Sequence, residues 1–346
     1  MKELNWQELG LTDFFKAQHE ESMGKIGRIS KASNGIFTIK TAACSYTGQV
    51  SGKFHYQAGD VRSYPHIGDW VVFQALENEA KAVITHVLAR KSLLTRHAAG
   101  TTTEEQIMAA NVDKVFLVNA LNNDFNPRRM ERYLMQVYES GASPVFVLTK
   151  KDLCDDVEAK IAQVEEIAMG VPVYAVNALT GEGSELLEQE ISVGVTISLL
   201  GSSGVGKSTL INLLLGENLQ KTQEIRQSDQ KGKHTTTHRE MFILPGKGIL
   251  IDTPGMRELQ LWADKDAVES AFSDIESLSQ GCKFRDCQHE KEPGCAINKA
   301  ILAGELSDSR LKNYRKMLRE VERLELKDKY GAHKTNRILY GPNGTR

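Results

Sequence analysis

The stretch Gly201, Ser202, Ser203, Gly204, Val205, Gly206, Lys207, Ser208, Thr209 has the residue types and spacing to hold a polyphosphate. A glycine, four residues and then Gly-Lys-Ser make a loop whose backbone N–H groups face phosphate oxygens. Lys207 is placed to reach the β and γ phosphates, and the Ser208 hydroxyl to bind Mg²⁺. Such a loop needs a strand before it and a helix after it, because the helix N-terminus adds positive potential. Val193 to Leu200 is apolar enough for a buried strand, and Leu210 to Leu215 suits the first helical turns. The alternative, a glycine-rich turn that binds nothing, leaves Lys207 and Ser208 unexplained.

A phosphate loop does not choose a base. Thr149, Lys150, Lys151 and Asp152 close an apolar strand and resemble the guanine-reading Asn-Lys-x-Asp motif of GTPases. An Asp152 carboxylate can accept from the N1 and N2 donors of guanine, a pair that adenine lacks, while the Lys150 stem covers the base. Asn177-Ala178-Leu179 follows another strand and resembles the turn whose backbone N–H meets guanine O6. Asp252-Thr253-Pro254-Gly255 ends the apolar run Gly248 to Ile251, which places Asp252 to hold Mg²⁺ and the Gly255 N–H to meet the γ phosphate. The polar, glycine-bearing stretch from Glu217 to His238 has the character of a nucleotide switch, with Thr236 or Thr237 carrying a hydroxyl to Mg²⁺. GTP or GDP with magnesium is the implied ligand.

The base-reading stretches precede the phosphate loop, whereas in ordinary GTPases they follow it. That order is a circular permutation, which an α/β sheet tolerates because termini can be rejoined at its surface. Met256 stands where many GTPases place a glutamine that orients the attacking water. His234, beside the threonine run, is the nearest group to position that water; otherwise it is a solvent-facing loop histidine.

Cys282, Cys287, His289 and Cys295 fall within fourteen residues in the pattern C-x4-C-x-H-x5-C. Three thiolates and an imidazole complete a tetrahedral structural zinc site and leave no open position for catalysis. The surrounding residues offer little core, so the metal would carry much of the local folding energy. A buried thiol cluster is the alternative.

The elements that must position these groups are legible in outline. Residues 1–24 read as a helical lead anchored by Leu9, Phe14 and Phe15. Residues 25–92 contain five short strands, Ile26 to Ile29, Gly35 to Ile39, Gln49 to Phe54, Gly68 to Phe73 and Ala82 to Val87, which suits an all-β oligonucleotide/oligosaccharide-binding (OB) barrel. Lys25, Arg28, Lys53 and Arg62 could give it a basic, RNA-binding face; a barrel that merely packs on its neighbour is the other reading. Residues 93–111 read as a polar linker. Residues 112–263 alternate apolar runs with helical segments, as in a mostly parallel sheet covered on both faces. Residues 264–330 read as helices around the metal ligands, with Ser307 capping a charged helix, and 331–346 as a basic tail.

The 346 residues carry a net charge of −2, unevenly spread. From Arg310 to Arg346, eleven Lys or Arg stand against four Asp or Glu, and from Lys25 to Arg90 eight stand against four. Two basic arms around an acidic middle are compatible with a polyanionic partner, although solvated helix faces have the same composition. No apolar stretch approaches the roughly 18 residues of a membrane helix. The N-terminus has no signal-peptide core, so a cytoplasmic location without membrane contact is expected.

Together these stretches closely resemble the bacterial ribosome small-subunit-dependent GTPases. The resemblance rests on the permuted order, Gly232-Lys233-His234-Thr235-Thr236-Thr237, Asp252-Thr253-Pro254-Gly255-Met256 and the cysteine pattern. It spans about residues 25 to 325. It implies an N-terminal OB barrel, a central circularly permuted phosphate-loop GTPase domain and a C-terminal α-helical zinc domain. It further implies late maturation of the small ribosomal subunit, contact with its rRNA, and GTP hydrolysis stimulated by that subunit, with His234 replacing the missing glutamine. Thr149 stands where the family often has Asn, and Lys233 where it often has Arg. A monomer is expected. The rival reading is an RNA-binding assembly factor for which GTP is only a conformational ligand; a third, an unrelated ATPase, requires that ATP displace GTP.

Overall fold

The structure, a computed structural model, describes residues 5–76, 79–97, 105–168, 170–216, 239–244, 246–252, 268, 272–285, 287–290 and 292–330. The lead is less helical than expected. It holds turns, a single-turn helix α1 (Asp13–Lys16) and a 3-10 turn. Leu9 and Phe15 are buried against Trp70, but Phe14 is 44% exposed.

Five strands then close on themselves: β1 (Lys25–Ser33), β2 (Ile36–Lys40), β3 (Ser45–Val50), β4 (Trp70–Ala75) and β5 (Lys81–Val87). Their order is β1-β2-β3-β5-β4, and β4 pairs back onto β1. Ile29, Phe37, Ile39, Val71, Phe73 and Ile84 fill the interior. The third strand ends earlier than the sequence implied. Gly52–Gln57 is a helix, α2, because the Ser51 hydroxyl accepts from the Phe54 amide and caps it.

The expected linker is a hairpin. β6 (Leu93–His97) pairs antiparallel with β7 (Glu105–Ala110). Leu94 and the run Ile107 to Ala110 are buried, an apolar content hidden in the sequence by the polar residues between.

The central sheet runs β10-β9-β8-β11-β13-β12, where β8 is Lys114–Ala120, β9 Ser143–Thr149, β10 Val173–Ala175, β11 Thr196–Leu200, β12 Glu240–Ile243 and β13 Ile249–Asp252. All neighbours are parallel except β12 and β13. Helices α3 (Pro127–Glu139), α4 (Val157–Ile167), α5 (Ser184–Glu188) and α6 (Lys207–Leu215) accompany it. One apolar cluster joins Val118, Val147, Ile197 and Leu250 to Leu210 and Leu214 of α6; another joins Val115, Leu117 and Phe146 to Met130 and Leu134 of α3. β12 also pairs with β1, so the barrel and the central sheet form one hydrogen-bonded sheet of eleven strands.

Arg28 is not on the basic face. It is 1% exposed and donates to the carbonyls of Leu9, Gly68 and Asn111 and to Thr196 Oγ1, at 2.8 to 3.1 Å. The chain approaches closely here. A Cβ on Gly68, at φ +90°, would lie 2.0 Å from the Ala110 carbonyl oxygen. Lys25, Lys53 and Arg62 stay exposed.

After the central sheet come α7 (Ser273–Ser279), α8 (Ala296–Ala303) and α9 (Asp308–Tyr330). The Ser307 hydroxyl accepts from the Arg310 amide at the start of α9, as expected of a cap. Among the described residues, no helix is long and apolar enough to cross a membrane.

Candidate nucleotide site and metal cluster

β11 is buried along its whole length and delivers the chain to Gly201. The loop is pinned by Val205, which is buried among Val118, Leu210 and Ile211. Gly206 takes φ +95°, a backbone that strains any side chain, and α6 begins at Lys207. The Lys207 ammonium donates to the carbonyls of Gly201 and Ser202, across the mouth of its own loop. Ser203, Gly204 and Ser208 are exposed, and Thr209 is half-buried.

The stretch from Thr149 to Asp152 is tied to this loop by two side chains. Thr149 Oγ1 donates to the Val205 carbonyl, and Lys150 Nζ donates to the Gly204 carbonyl at 2.8 Å. Lys150 takes φ 58°, a left-handed conformation that costs a non-glycine residue about 1–2 kcal/mol. That cost is accepted where the turn must aim Lys150 at the loop. Asp152 is exposed in the following 3-10 turn, and Lys151 pairs with Glu182 at 2.7 Å. The second turn lies beside the first, because the Val176 amide donates to the Leu148 carbonyl. Asn177 Oδ1 accepts from the Leu179 amide at 3.0 Å and lies 3.4 Å from the Thr180 amide, which shapes the turn; Ala178 is held in the core.

Asp252 closes β13, one strand from β11. Burial pushes its carboxyl above the usual range, Lys207 opposes that, and Glu240 adds to it. Thus Thr149, Asn177, Gly201 to Ser208 and Asp252 gather at the carboxyl ends of β9, β10, β11 and β13, where open α/β sheets bind ligands. His234, Thr236, Thr237, Gly255 and Met256 lie outside the described residues.

Two polar groups at this edge were not singled out from the sequence. Tyr133 of α3 places its hydroxyl 3.3 Å from Ser202 Oγ. Asn119, 0% exposed near the end of β8, has neither amide atom in a hydrogen bond among the described residues. A polar residue inside the run Val115 to Ala120 was the available signal for Asn119; Tyr133 is indistinguishable from the apolar stripe of its helix.

The cysteine cluster assembles as the spacing implied. The four ligand atoms lie within 4.8 Å of one another. Cys282 Sγ is 4.0 Å from Cys295 Sγ, and each is 3.6 Å from His289 Nδ1. Tetrahedral bond lengths require about 3.8 Å between sulfurs and about 3.6 Å from sulfur to nitrogen, and the cysteines are free thiols. The Ala296 and Asn298 amides, at the start of α8, donate to the sulfurs of Cys282 and Cys295. Burial pushes the Cys282 thiol up, but the Ala296 and Ile297 amides and the neighbouring cysteines outweigh it and hold it below its usual value. Cys287 is pushed up to about 11, by burial first and then by its cysteine neighbours. Burial, the largest cause, pushes the His289 imidazole below its ordinary value, the direction that favours the neutral form a metal ligand needs. His289 takes φ 61°, so this site, like Lys150, sets a non-glycine residue in the left-handed region.

The fold and site define a phosphate-loop nucleotide-binding protein with permuted sheet order, an N-terminal barrel and a C-terminal Cys₃His cluster able to hold a metal. The family model described as RsgA GTPase matches residues 87–262. The Oceanobacillus iheyensis protein "Small ribosomal subunit biogenesis GTPase RsgA 1" is 47% identical over 279 residues, covering 80% of this chain and 80% of its own. "Small ribosomal subunit biogenesis GTPase RsgA 2" of Lactiplantibacillus plantarum is 41% identical over 320 residues, covering 92% and 90%. The crystal structure of YjeQ from Thermotoga maritima is similar with a TM-score of 0.66 at 28% identity, covering 86% of this chain and 98% of that one. That of YloQ, "a circularly permuted GTPase", gives 0.64 at 25%, covering 88% and 96%. The chain belongs to the RsgA GTPase family, whose members are hydrolases acting on GTP.

Proposed function

We propose that this chain hydrolyses GTP to GDP and phosphate while bound to the small ribosomal subunit, during that particle's late maturation and under its stimulation. The observation that carries the guanine-nucleotide part is the pair of bonds from Thr149 and Lys150 to the phosphate loop. They lock a base-reading turn to a phosphate-reading one, although the turns occur in reversed chain order. They also give Thr149 a role that does not depend on guanine, which leaves Asp152 to choose the base. The ribosomal part rests on the names of the relatives.

In this reading Lys207 leaves its loop carbonyls for the β and γ phosphates. Ser208 and Asp252 are oxygen donors, the set that suits Mg²⁺, whose chemistry here is neutralisation of charge on the phosphates. Loop amides from Gly204 to Ser208 stabilise the same charge. His234 positions water, and Thr236 or Thr237 completes the magnesium site. Cys282, Cys287, His289 and Cys295 hold one structural zinc ion.

The barrel reads as an OB fold. Its order β1-β2-β3-β5-β4 with α2 between β3 and β4 supports that reading. Lys25, Lys53 and Arg62 offer RNA a basic surface. The domain limits follow as 25–92, 112–263 and 264–330, with the hairpin between the first two, and the protein acts in the cytoplasm as a monomer.

The test is GTP turnover with and without purified small subunits, at fixed salt and Mg²⁺. Strong stimulation supports the reading. Intact GTP binding without stimulation removes the ribosome from it, and ATP displacing GTP removes the guanine.

A further inference from the structure

Strand β1 serves two structures. Its first residues, Lys25 to Arg28, pair with β4 and close the barrel. Beyond a bulge between Ile29 and Lys31 it pairs with β12 of the nucleotide sheet, where Lys31 stands opposite Glu240. Glu240 in turn stands opposite Asp252 of β13. Residues directly opposite in an antiparallel pair share a face, and like charges there repel. Lys31 Nζ lies 2.7 Å from Glu240 Oε1, and the Lys207 charge also acts on Asp252. Four charges therefore run in series from the barrel to the phosphate loop: Lys31, Glu240, Asp252, Lys207.

We propose that Lys31 is a positioning residue of the magnesium site, which sets the attraction of the Glu240–Asp252 carboxylate pair for Mg²⁺ by holding Glu240 in an ion pair. The inference rests on the reading of Asp252 as a magnesium residue. With Lys31 paired, part of the Glu240 charge is offset. With Lys31 drawn away, more of that charge acts at Asp252, and a divalent cation binds more tightly. The Lys31 side chain is 44% exposed, so a polyanion lying on the barrel can compete for it. A partner on the barrel would then tighten magnesium at the nucleotide site, and magnesium would by the same linkage tighten the partner.

The sign of the effect makes it testable without a partner. Mg²⁺ is titrated against full-length protein carrying a fluorescent GDP analogue, and nucleotide dissociation is followed. For a charge acting on a divalent ion from about two strands away, partly screened, the expected shift is about three- to tenfold. Lys31→Met lowers the half-saturating Mg²⁺ concentration by that factor. Glu240→Gln raises it, the double variant returns to within about twofold of the parent, and Lys31→Arg matches the parent. Loss of strand pairing alone would move both single variants the same way. That result, or an unmoved Lys31→Met, overturns the inference. Asp252→Asn is the control for the reading beneath it. If it leaves the Mg²⁺ dependence unchanged, both fall; if it weakens Mg²⁺ and Lys31→Met does nothing, only the inference falls.

Discussion

A buried arginine fastens the barrel to the nucleotide sheet, another fastens the C-terminal helices to α4 beside it, and the two joints differ in kind. Arg28 sits in a strand that is itself hydrogen-bonded to the sheet, and it donates to three carbonyls and a hydroxyl drawn from the lead, the barrel, the end of the hairpin and β11. Burial pushes its guanidinium down to about 10, opposed at a distance by Asp113 and Asp69, so it remains charged at neutral pH. Arg310, 5% exposed, grips Asp274 with two nitrogens at 3.1 and 3.0 Å, donates to the Ile167 carbonyl at 2.7 Å and lies over the Phe272 ring. Among the described residues, α7 to α9 share no strand pairing with the sheet. A joint of backbone ladder and carbonyl acceptors makes the barrel continuous with β12. A joint of side chains holds the C-terminal helices in place but leaves them a separable unit.

Removing the ion proposed for the cysteine cluster should have the largest effect and should show this separability. Structural zinc sites contribute about 10–16 kcal/mol of apparent binding energy, which is local folding energy. With chelator, amide exchange in residues 282–303 should lose its protection while β8 to β11 keep theirs, and guanine nucleotide should still bind. Joint loss of protection in the central sheet would mean that the two units are one. Arg28→Met comes next. It removes the donor from buried acceptors in four segments, so a loss of about 3–5 kcal/mol in urea unfolding is expected, with the single transition of barrel and sheet splitting in two. A loss under about 1 kcal/mol would deny Arg28 its role as the joint.

The two sites were readable for a shared reason: their residues are contiguous. The phosphate loop is nine residues and the metal cluster fourteen, so spacing alone carries the geometry. Arg28 was misplaced because a sequence reports charge, not coverage. The middle of β1 is covered by the barrel interior on one side and by Leu9 and β11 on the other, and only the assembled sheet shows that both are closed. The hairpin was missed because its buried residues do not alternate cleanly. The bond from Thr149 to Val205 was beyond reach, since it joins positions 56 residues apart in the chain.

Arg310→Met should cost about 2–3 kcal/mol, since Asp274 then loses its partner at the joint. The loss should fall on the C-terminal unit alone, with exchange in β1 and β12 unchanged.

Thr196→Val should cost the least, about 1 kcal/mol, and it resolves the barrel joint to one bond. Valine keeps the shape and the β-branching that β11 needs, and removes only the hydroxyl that accepts from Arg28 Nη2 at 2.9 Å. The Thr196 amide keeps its bond to Asp113 Oδ2 at 2.8 Å, so the strand entry is preserved. Arg28 Nη2 also reaches the Asn111 carbonyl at 3.1 Å, which is why the cost stays small. If the hydroxyl works through Arg28, Thr196→Val costs nothing further once Arg28→Met is present, and a double-mutant cycle yields a coupling of about 1 kcal/mol. Strict additivity would mean that β11 is held by its backbone ladder alone and that the arginine binds the lead and the hairpin without gripping the strand that feeds the phosphate loop.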